Sequence, residues 1–528
     1  MNAASLVYGN LRFRRRQALG LLFVWIVLVS LLILNHAFWR DEVRALSFAL
    51  AGEDVFEMLK GMRGDGHPAV WYLLLRGAFT LFSTPAVLPL VSFAVAFAAV
   101  LLLAWRSPFG WLVVAALMLG RIGLYEYSVM ARNYGISMLF MFSFAALYQE
   151  HRHRGIALGL ILLLLANTNA HSVILVGAFL LFWLLDILLD RSVDRPRAIR
   201  TFCINAAIAT VGVLLCLITI YPTFNDAAQL DYGLVDLAQR AAIALLLPAS
   251  SFDHLFFEPV VGPVLAWQGH LMTGYQAVMS IVLIGSTVGL ARRPAAMIAA
   301  WSALFGLSVF FAAIYTGNYR HEALWLVFLV SMYWIAGSDE SRPEMTSAKR
   351  LGSLGSAMFL LLLGAQFVSG IGQAFTVAFG SLPESRSRDL AQLIASRPDL
   401  REATILADPD FLVEPLPYYL SNRTYLMREE RFGNTVRFTR NARLSLSLEE
   451  VLASARAVQE ATGGPVVILL HLRLDPARPA RVVKEGYNWT LSTTPAQVEE
   501  FLSQTQLIAR FGPSCCNDES FDVYVLNP

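Results

Sequence analysis

Two adjacent carboxylates, Asp41 and Glu42, stand where the long apolar stretch Leu19 to Phe38 ends, with only Trp39 and Arg40 between. A carboxylate so placed can take the proton of a hydroxyl that comes within hydrogen-bond reach. Further along lie two arginines, Arg132 in Ala131-Arg132-Asn133-Tyr134 and Arg320 in Tyr319-Arg320-His321-Glu322. Arginine stays charged and its planar fork grips phosphate oxygens in pairs, so these two suit charge that develops on a phosphate. His67 before Pro68, Glu126, and the trio Asn167, Asn169 and His171 add groups that can hydrogen-bond a polar ligand. Each has a plainer reading. Aspartate is a favoured helix cap, an arginine at a helix end snorkels to an interface, and a residue before proline is pushed toward extended backbone.

The elements that position these groups are membrane helices. Of the 528 residues 56% are hydrophobic and 15% charged, against roughly 25% charged in soluble domains. A crossing helix needs roughly 20 mostly apolar residues, and such stretches recur from Leu19 to about Gly372. Arg12, Arg14, Arg15 and Arg16 precede the first stretch, so the positive-inside rule puts the N-terminus in the cytoplasm and Asp41 outside. No small-residue cleavage site follows, which makes this stretch an uncleaved anchor. The other basic clusters are Arg106, His151 to Arg154, Arg191 to Arg200, Arg292 with Arg293, and Lys349 with Arg350. All fall inside if further spans run near 86–105, 109–129, 134–149, 155–170, 172–189, 201–221, 274–290, 296–315, 322–336 and 351–372. With the first, about eleven spans result. This requires Pro68 to Phe82, short and carrying Arg76, to return to the side it came from.

On this topology Asp41, Glu42, His67, Glu126, Arg132, Asn133, Tyr134, Asn167, Asn169, His171, Tyr319, Arg320, His321 and Glu322 collect at the outer face. Charged groups near spans usually face a cavity or a partner, so one pocket is expected there. An odd span count also leaves residues 373–528 outside, as a domain separate from 1–372. Strand-like runs at Ala403 to Ala407, Val466 to Leu470 and Phe521 to Leu526 alternate with helical stretches such as Leu448 to Thr462, which predicts a small α/β domain. Cys203 and Cys216 lie too far apart along one helix to bond. Cys515 and Cys516 are adjacent in the external part, where oxidation is possible. A net charge of +2, with basic residues confined between apolar runs, gives no surface for nucleic acid.

The order of these features resembles the GT-C superfamily of membrane glycosyltransferases, nearest to its protein O-mannosyltransferase and aminoarabinose-transferase branch. The likeness rests on an anchor ending in Asp-Glu (Asp41, Glu42), an amphipathic loop, and a His-Pro start to an apolar segment with Trp71 and Tyr72. The Ala-Arg-x-Tyr box at Ala131 to Tyr134 completes it. The resemblance implies a polytopic helical fold, a sugar donor on a polyprenyl phosphate, a hydroxyl acceptor and inversion at the anomeric carbon. It also implies a bacterial inner-membrane enzyme whose C-terminal domain is periplasmic. The family's general base falls on Asp41, with Glu42 sharing that work or orienting Arg44 or His67. Arg132, Arg320, His321 and Tyr134 would hold the donor phosphate, and His67, His171, Asn169 and Glu126 would line the substrate pocket. No Asp-x-Asp pair stands in the first external loop, and Glu53, Asp54, Glu57 and Asp65 form no convincing ligand set, so no metal or other cofactor is expected. The acceptor, whether glycolipid, polysaccharide or protein, is not written in the residues.

Two other classes compete. A lipid-linked glycan polymerase or ligase would concentrate its site in a large later loop, for which Pro222 to Thr273 is long enough. A transporter would show broken helices in two matching halves, and no such symmetry is present.

Overall fold

A computed structural model describes residues 3–9, 11–190, 194–228, 233–257, 269–338, 346–380, 382–514 and 519–527. The first apolar stretch forms helix α1, Leu11–Asn35. After a short bend helix α2 begins, Arg40–Ala49. It is capped by Glu42 rather than Asp41: the Glu42 Oε2 accepts the Trp39 N–H at 3.1 Å, satisfying a donor that the first turn leaves unpaired. Asp41 is thereby left to face elsewhere. Helix α3, Val55–Met62, starts where the Asp54 carboxylate accepts the Glu57 N–H at 2.9 Å. Helix α4, Val70–Phe82, follows Pro68. It is too short to cross a bilayer upright and lies against α2, where Arg76 donates to the carbonyls of Ala49 and Ala51 at 3.1 and 2.9 Å. These helices share a core of their own with the start of α5, Val87–Arg106, built on Val43, Leu46, Phe48, Met62, Tyr72 and Leu88.

The main bundle continues through α6 (Trp111–Leu119), α7 (Tyr134–His151), α8 (Ala157–Ala166), α9 (His171–Leu189) and α10 (Arg195–Ile220). It then runs through α11 (Leu234–Leu246), α12 (Gly269–Val288), α13 (Pro294–Ala313), α14 (Tyr319–Gly337) and α15 (Thr346–Phe379). Among the described residues six helices are long and apolar enough to cross a membrane: those around Arg16–Asn35, Val87–Arg106, His171–Leu189, Arg195–Ile220, Pro294–Ala313 and Arg350–Phe379. Helix α6 gives way at Gly120 to a π-helical turn, Ile122–Glu126, and α8 stops at Asn167. The apolar stretches there are thus partly irregular, and helix length alone accounts for fewer crossings than hydropathy suggests. Helix α14 is buried from Tyr319 to Ile335 and forms the axis of the apolar core, with Trp325 and Trp334 fully enclosed. Arg293, read from the sequence as a topology mark, is buried and grips the Asp186 carboxylate with Nε and Nη2 at 3.0 and 2.7 Å. A charge in that setting needs a partner, so the pair ties α9 to the start of α13.

Helix α15 runs on to Phe379, past the expected end near Gly372, and the sheet domain begins with helix α16, Ser387–Ser396. A six-stranded sheet has the order β3-β2-β1-β5-β9-β8, with β1 (Thr404–Asp408) parallel to both β2 (Thr424–Leu426) and β5 (Val466–Leu470). Strands β3 (Arg431–Phe432), β9 (Phe521–Leu526) and β8 (Thr505–Phe511) run antiparallel to their neighbours. Strands β4 (Ser445–Ser447), β6 (Arg481–Lys484) and β7 (Thr490–Thr493) make a second small sheet. Helices α17, Leu448–Thr462, and α18, Pro495–Gln504, each begin with a Ser or Thr cap answered by a Glu or Gln three residues on. Val466, Ile468 and Leu470 face one apolar layer and Val467 and Leu469 the other, which is why β5 reads as a continuous apolar run. Cys203 and Cys216 are free thiols; Cys515 and Cys516 lie outside the described residues.

Candidate functional site

At one end of the bundle, segments far apart in sequence enclose a cavity of about 470 Å³. Its wall takes Asp41 and Arg44 from α2, Asp65 and His67 from the loop before α4, and Arg132, Asn133 and Tyr134 from the start of α7. Asn169 and His171 come from the start of α9, Arg320 and His321 from α14, and Phe438 and Tyr487 from the sheet domain.

Asp41 has arginine on both sides. Arg132 Nη1 is 3.1 Å from Oδ2 and Arg40 Nε is 3.2 Å from Oδ1. Burial alone would raise this carboxyl, but Arg132, Arg40, Arg320 and His67 outweigh burial and hold it well below the usual carboxylate range. Its side chain remains 27% exposed, toward the cavity. Arg132 also reaches His67 Nε2 at 3.3 Å and lies over the Trp39 ring at 5.9 Å. Arg320 stacks its guanidinium on Trp39 at 4.9 Å, and its buried Nε has no hydrogen-bond partner among the described residues. Across the cavity His171 is only 7% exposed, yet neither ring nitrogen finds a partner among the described residues. Asn133 Oδ1 is in the same state. Buried polar atoms of this kind are expensive unless something satisfies them, and the space beside them is the cavity.

Asp65, which the sequence left without a role, has Arg44 Nη2 at 2.5 Å and accepts the Tyr72 hydroxyl at 3.1 Å. Burial pushes it up, but the guanidinium and His67 bring it down to about 2. Arg44 reaches on to Glu414 and to the Val436 carbonyl in the sheet domain.

Of the residues singled out by sequence, Asp41, His67, Arg132, Tyr134, Asn169, His171, Arg320 and His321 all line this cavity. Two do not. Glu42 is fully buried behind Asp41, where its oxygens accept from Ala131 N at 2.6 Å and Trp39 N and face His36 Nε2 at 2.8 Å. It touches neither Arg44 nor His67 in this network; it fixes the turn that presents Arg132. Glu126 is turned away onto Arg121, at 3.1 and 3.0 Å from Nε and Nη2. Two of the lining residues are already committed to structure. His321 Nδ1 accepts the Asn318 N–H at 2.9 Å, and Asn169 donates to Ser137 at 2.7 Å and accepts from Ser172 N at 2.9 Å.

Sequence reasoning missed Arg40, Asp65, Tyr315, Phe438 and Tyr487. Arg40 and Arg44 stand one helical turn apart around Asp41, a spacing that signals a shared face. Phe438 and Tyr487 carry no local signal, because only the docking of the sheet domain brings them here. Outside the cavity wall, Asp253, His254 and Glu322 have ligand-capable atoms within 4.8 Å of one another. There His254 Nδ1 faces Asp253 at 3.0 Å and Glu322 at 2.8 Å, an arrangement an ion pair explains.

Fold and site together define a helical membrane-type bundle with a sheet domain docked over a polar, arginine-rich cavity. No family model matches the chain, and no curated protein matches it. Among solved structures the chain is similar to the crystal structure of ArnT from Cupriavidus metallidurans bound to undecaprenyl phosphate, with 15% identity and a TM-score of 0.42 over 96% of this chain and 97% of that one.

Proposed function

We propose that this chain is a membrane glycosyltransferase of the GT-C kind, moving a sugar from a polyprenyl phosphate to a hydroxyl acceptor at the outer face of a bacterial inner membrane. The observation that carries the reading is the meeting of Asp41 with Arg132 and Arg320 in one cavity at the end of the bundle. The lining holds four arginines, Arg40, Arg44, Arg132 and Arg320, against two carboxylates, Asp41 and Asp65. That excess of positive charge suits an anionic donor.

In this reading Arg132 and Arg320 take the phosphate oxygens, and the unpartnered nitrogens of His171 with Asn133 Oδ1 take sugar hydroxyls. The acceptor oxygen attacks the anomeric carbon from the face opposite the phosphate, which inverts the centre. The bond from that carbon to the phosphate oxygen breaks, the electron pair leaves with the polyprenyl phosphate, and the acceptor proton passes to Asp41. A carboxylate held low by arginines is a weak base, so the proton must move late, once the glycosyl centre is already electron-poor. Its negative charge beside that centre then serves as well as its basicity. Phosphate binding would also draw Arg132 partly away and return basicity to Asp41. No metal takes part, so a chelator such as EDTA leaves the rate unchanged.

The test compares glycolipids and surface glycans of cells with and without the gene by mass spectrometry, then complements the deletion with the parent or Asp41→Asn. The reading expects a lost product that only the parent restores. A polymerase or ligase with its site elsewhere would keep most activity in Asp41→Asn, and that result would overturn it.

A further inference from the structure

Arg40 opens helix α2 immediately before Asp41, and its guanidinium faces two ways. While Nε meets Asp41, Nη2 donates to the Tyr487 hydroxyl at 2.8 Å. The same group lies over the Phe411 ring at 4.7 Å and the Tyr487 ring at 5.3 Å. The backbone N–H of Arg40 donates to Glu519 Oε1 at 2.9 Å. These partners come from three separate parts of the sheet domain: the segment after β1, the turn between β6 and β7, and the residues before β9. A guanidinium is a rigid plane, so holding it by its face and by one terminal nitrogen fixes where its Nε points. The turn that supplies Tyr487 is itself unusual, with Tyr487 and Asn488 both at φ 63. Bulky residues rarely adopt that conformation, and it persists only where the surroundings impose it. Here Phe438 packs against the Tyr487 ring at 4.0 Å, and Asn488 donates to the Ala227 carbonyl at 2.7 Å.

We propose that Arg40 is a positioning residue through which the sheet domain orients Asp41, so that the domain is part of the reaction centre and not only a roof over it. This rests on reading Asp41 as the proton acceptor. Arg40 is distinguished from Arg132 and Arg320 by its attachments: Nε is held by Asp41, Nη2 by Tyr487 and its face by the Phe411 and Tyr487 rings, leaving it poorly placed to follow a phosphate.

The test uses the full chain and two readouts. In the deletion strain, the rate at which the lost glycan product reappears after induction of each variant is followed by mass spectrometry. On purified protein in detergent, binding of undecaprenyl phosphate alone is read as a thermal shift. Tyr487→Phe, which removes one oxygen, is expected to slow the product about five- to tenfold. Arg40→Lys cannot span both contacts and is expected to slow it about 10- to 100-fold. Both should keep the parental shift with undecaprenyl phosphate. If Asp41→Asn is inactive while both variants keep the parental rate, the positioning role is overturned and the base assignment stands. If the phosphate shift falls in step with the rate, Arg40 is a phosphate ligand, which also overturns the proposal. Should Arg40→Lys fail to accumulate, Tyr487→Phe decides alone. An active Asp41→Asn removes the base assignment, and this inference with it.

Discussion

Asp41 illustrates how neighbours rather than residue type set chemical behaviour. Two carboxylates stand side by side in sequence, yet Glu42 turns inward to cap its helix and hold Ala131, while Asp41 meets two arginines at the cavity. Replacing Asp41 with Asn should lower transfer about 10²- to 10⁴-fold, the usual worth of a positioned proton acceptor, with undecaprenyl phosphate binding retained. Arg132→Ala should do the opposite, weakening that binding about 10- to 100-fold as charge-assisted hydrogen bonds are lost. A thermal-shift titration separates the two, and equal behaviour would refute the division of roles. The depressed carboxyl also fixes a pH expectation. Because Asp41 of the free enzyme stays ionised as pH falls through the ordinary carboxylate range, its state should not limit kcat/KM, which reports the free enzyme, down to about pH 4. A kcat/KM that falls on an apparent value of 5 or above, with the protein still folded, would contradict this for Asp41.

At the scale of elements, loops do the positioning. Asp65 and His67 sit in a turn where Gly64 and Gly66 take φ values of 93° and 95°. A Cβ on Gly64 would stand 2.6 Å from the Pro222 carbonyl oxygen, whereas one on Gly66 would meet open space. Gly66→Ala should therefore cost only backbone strain, about 1–2 kcal/mol. Gly64→Ala adds a collision that displaces the loop and should lose more activity and more thermal stability than its neighbour; equal effects would show that the strand of chain at Pro222 yields freely. What the sequence made legible follows the same division. Apolar length revealed α1, α5, α9 and α13, and apolar runs and period revealed β5, β9 and α17. Asp41, Arg132 and Arg320 were legible because a charge next to an apolar run must have a reason. The breaks at Gly120 and Asn167 and the inward turn of Glu42 were not, since each depends on a partner remote in sequence: Glu42 on Ala131, Asn167 on the Gly212 carbonyl at 2.9 Å, and Gly120 on the close approach of Gly370 in α15. Phe438 and Tyr487 lay beyond local pattern for the same reason.

For the molecule as a whole, the sheet domain carries its own pH dependence. Asp408 and Glu485 meet the guanidinium of the fully buried Arg428, and beside them Asp410 accepts the backbone N–H groups of Met427 and Arg428. Burial pushes Asp410 up to about 7, against the pull of Arg428, and burial with the charge of Asp408 raises Glu485 as well. The folded domain thus keeps protons that the unfolded chain has released above roughly pH 4. Stability must then fall as pH climbs from that range through 7 and beyond. Calorimetry on the full chain should find the sheet-domain transition lower at pH 9 than at pH 5, with Glu485→Gln narrowing the gap; a transition that holds or rises at pH 9 would refute the account.

The two arginines of α2 clasp the sheet domain at sites scattered along its sequence, Arg40 at Tyr487 and Arg44 at Glu414. Recombination with a related gene therefore cannot succeed by joining at the linker near Ser387 alone. A chimera that imports a foreign sheet domain must import the matching contacts on α2 as well, and parents that differ there should yield hybrids that assemble but turn over slowly.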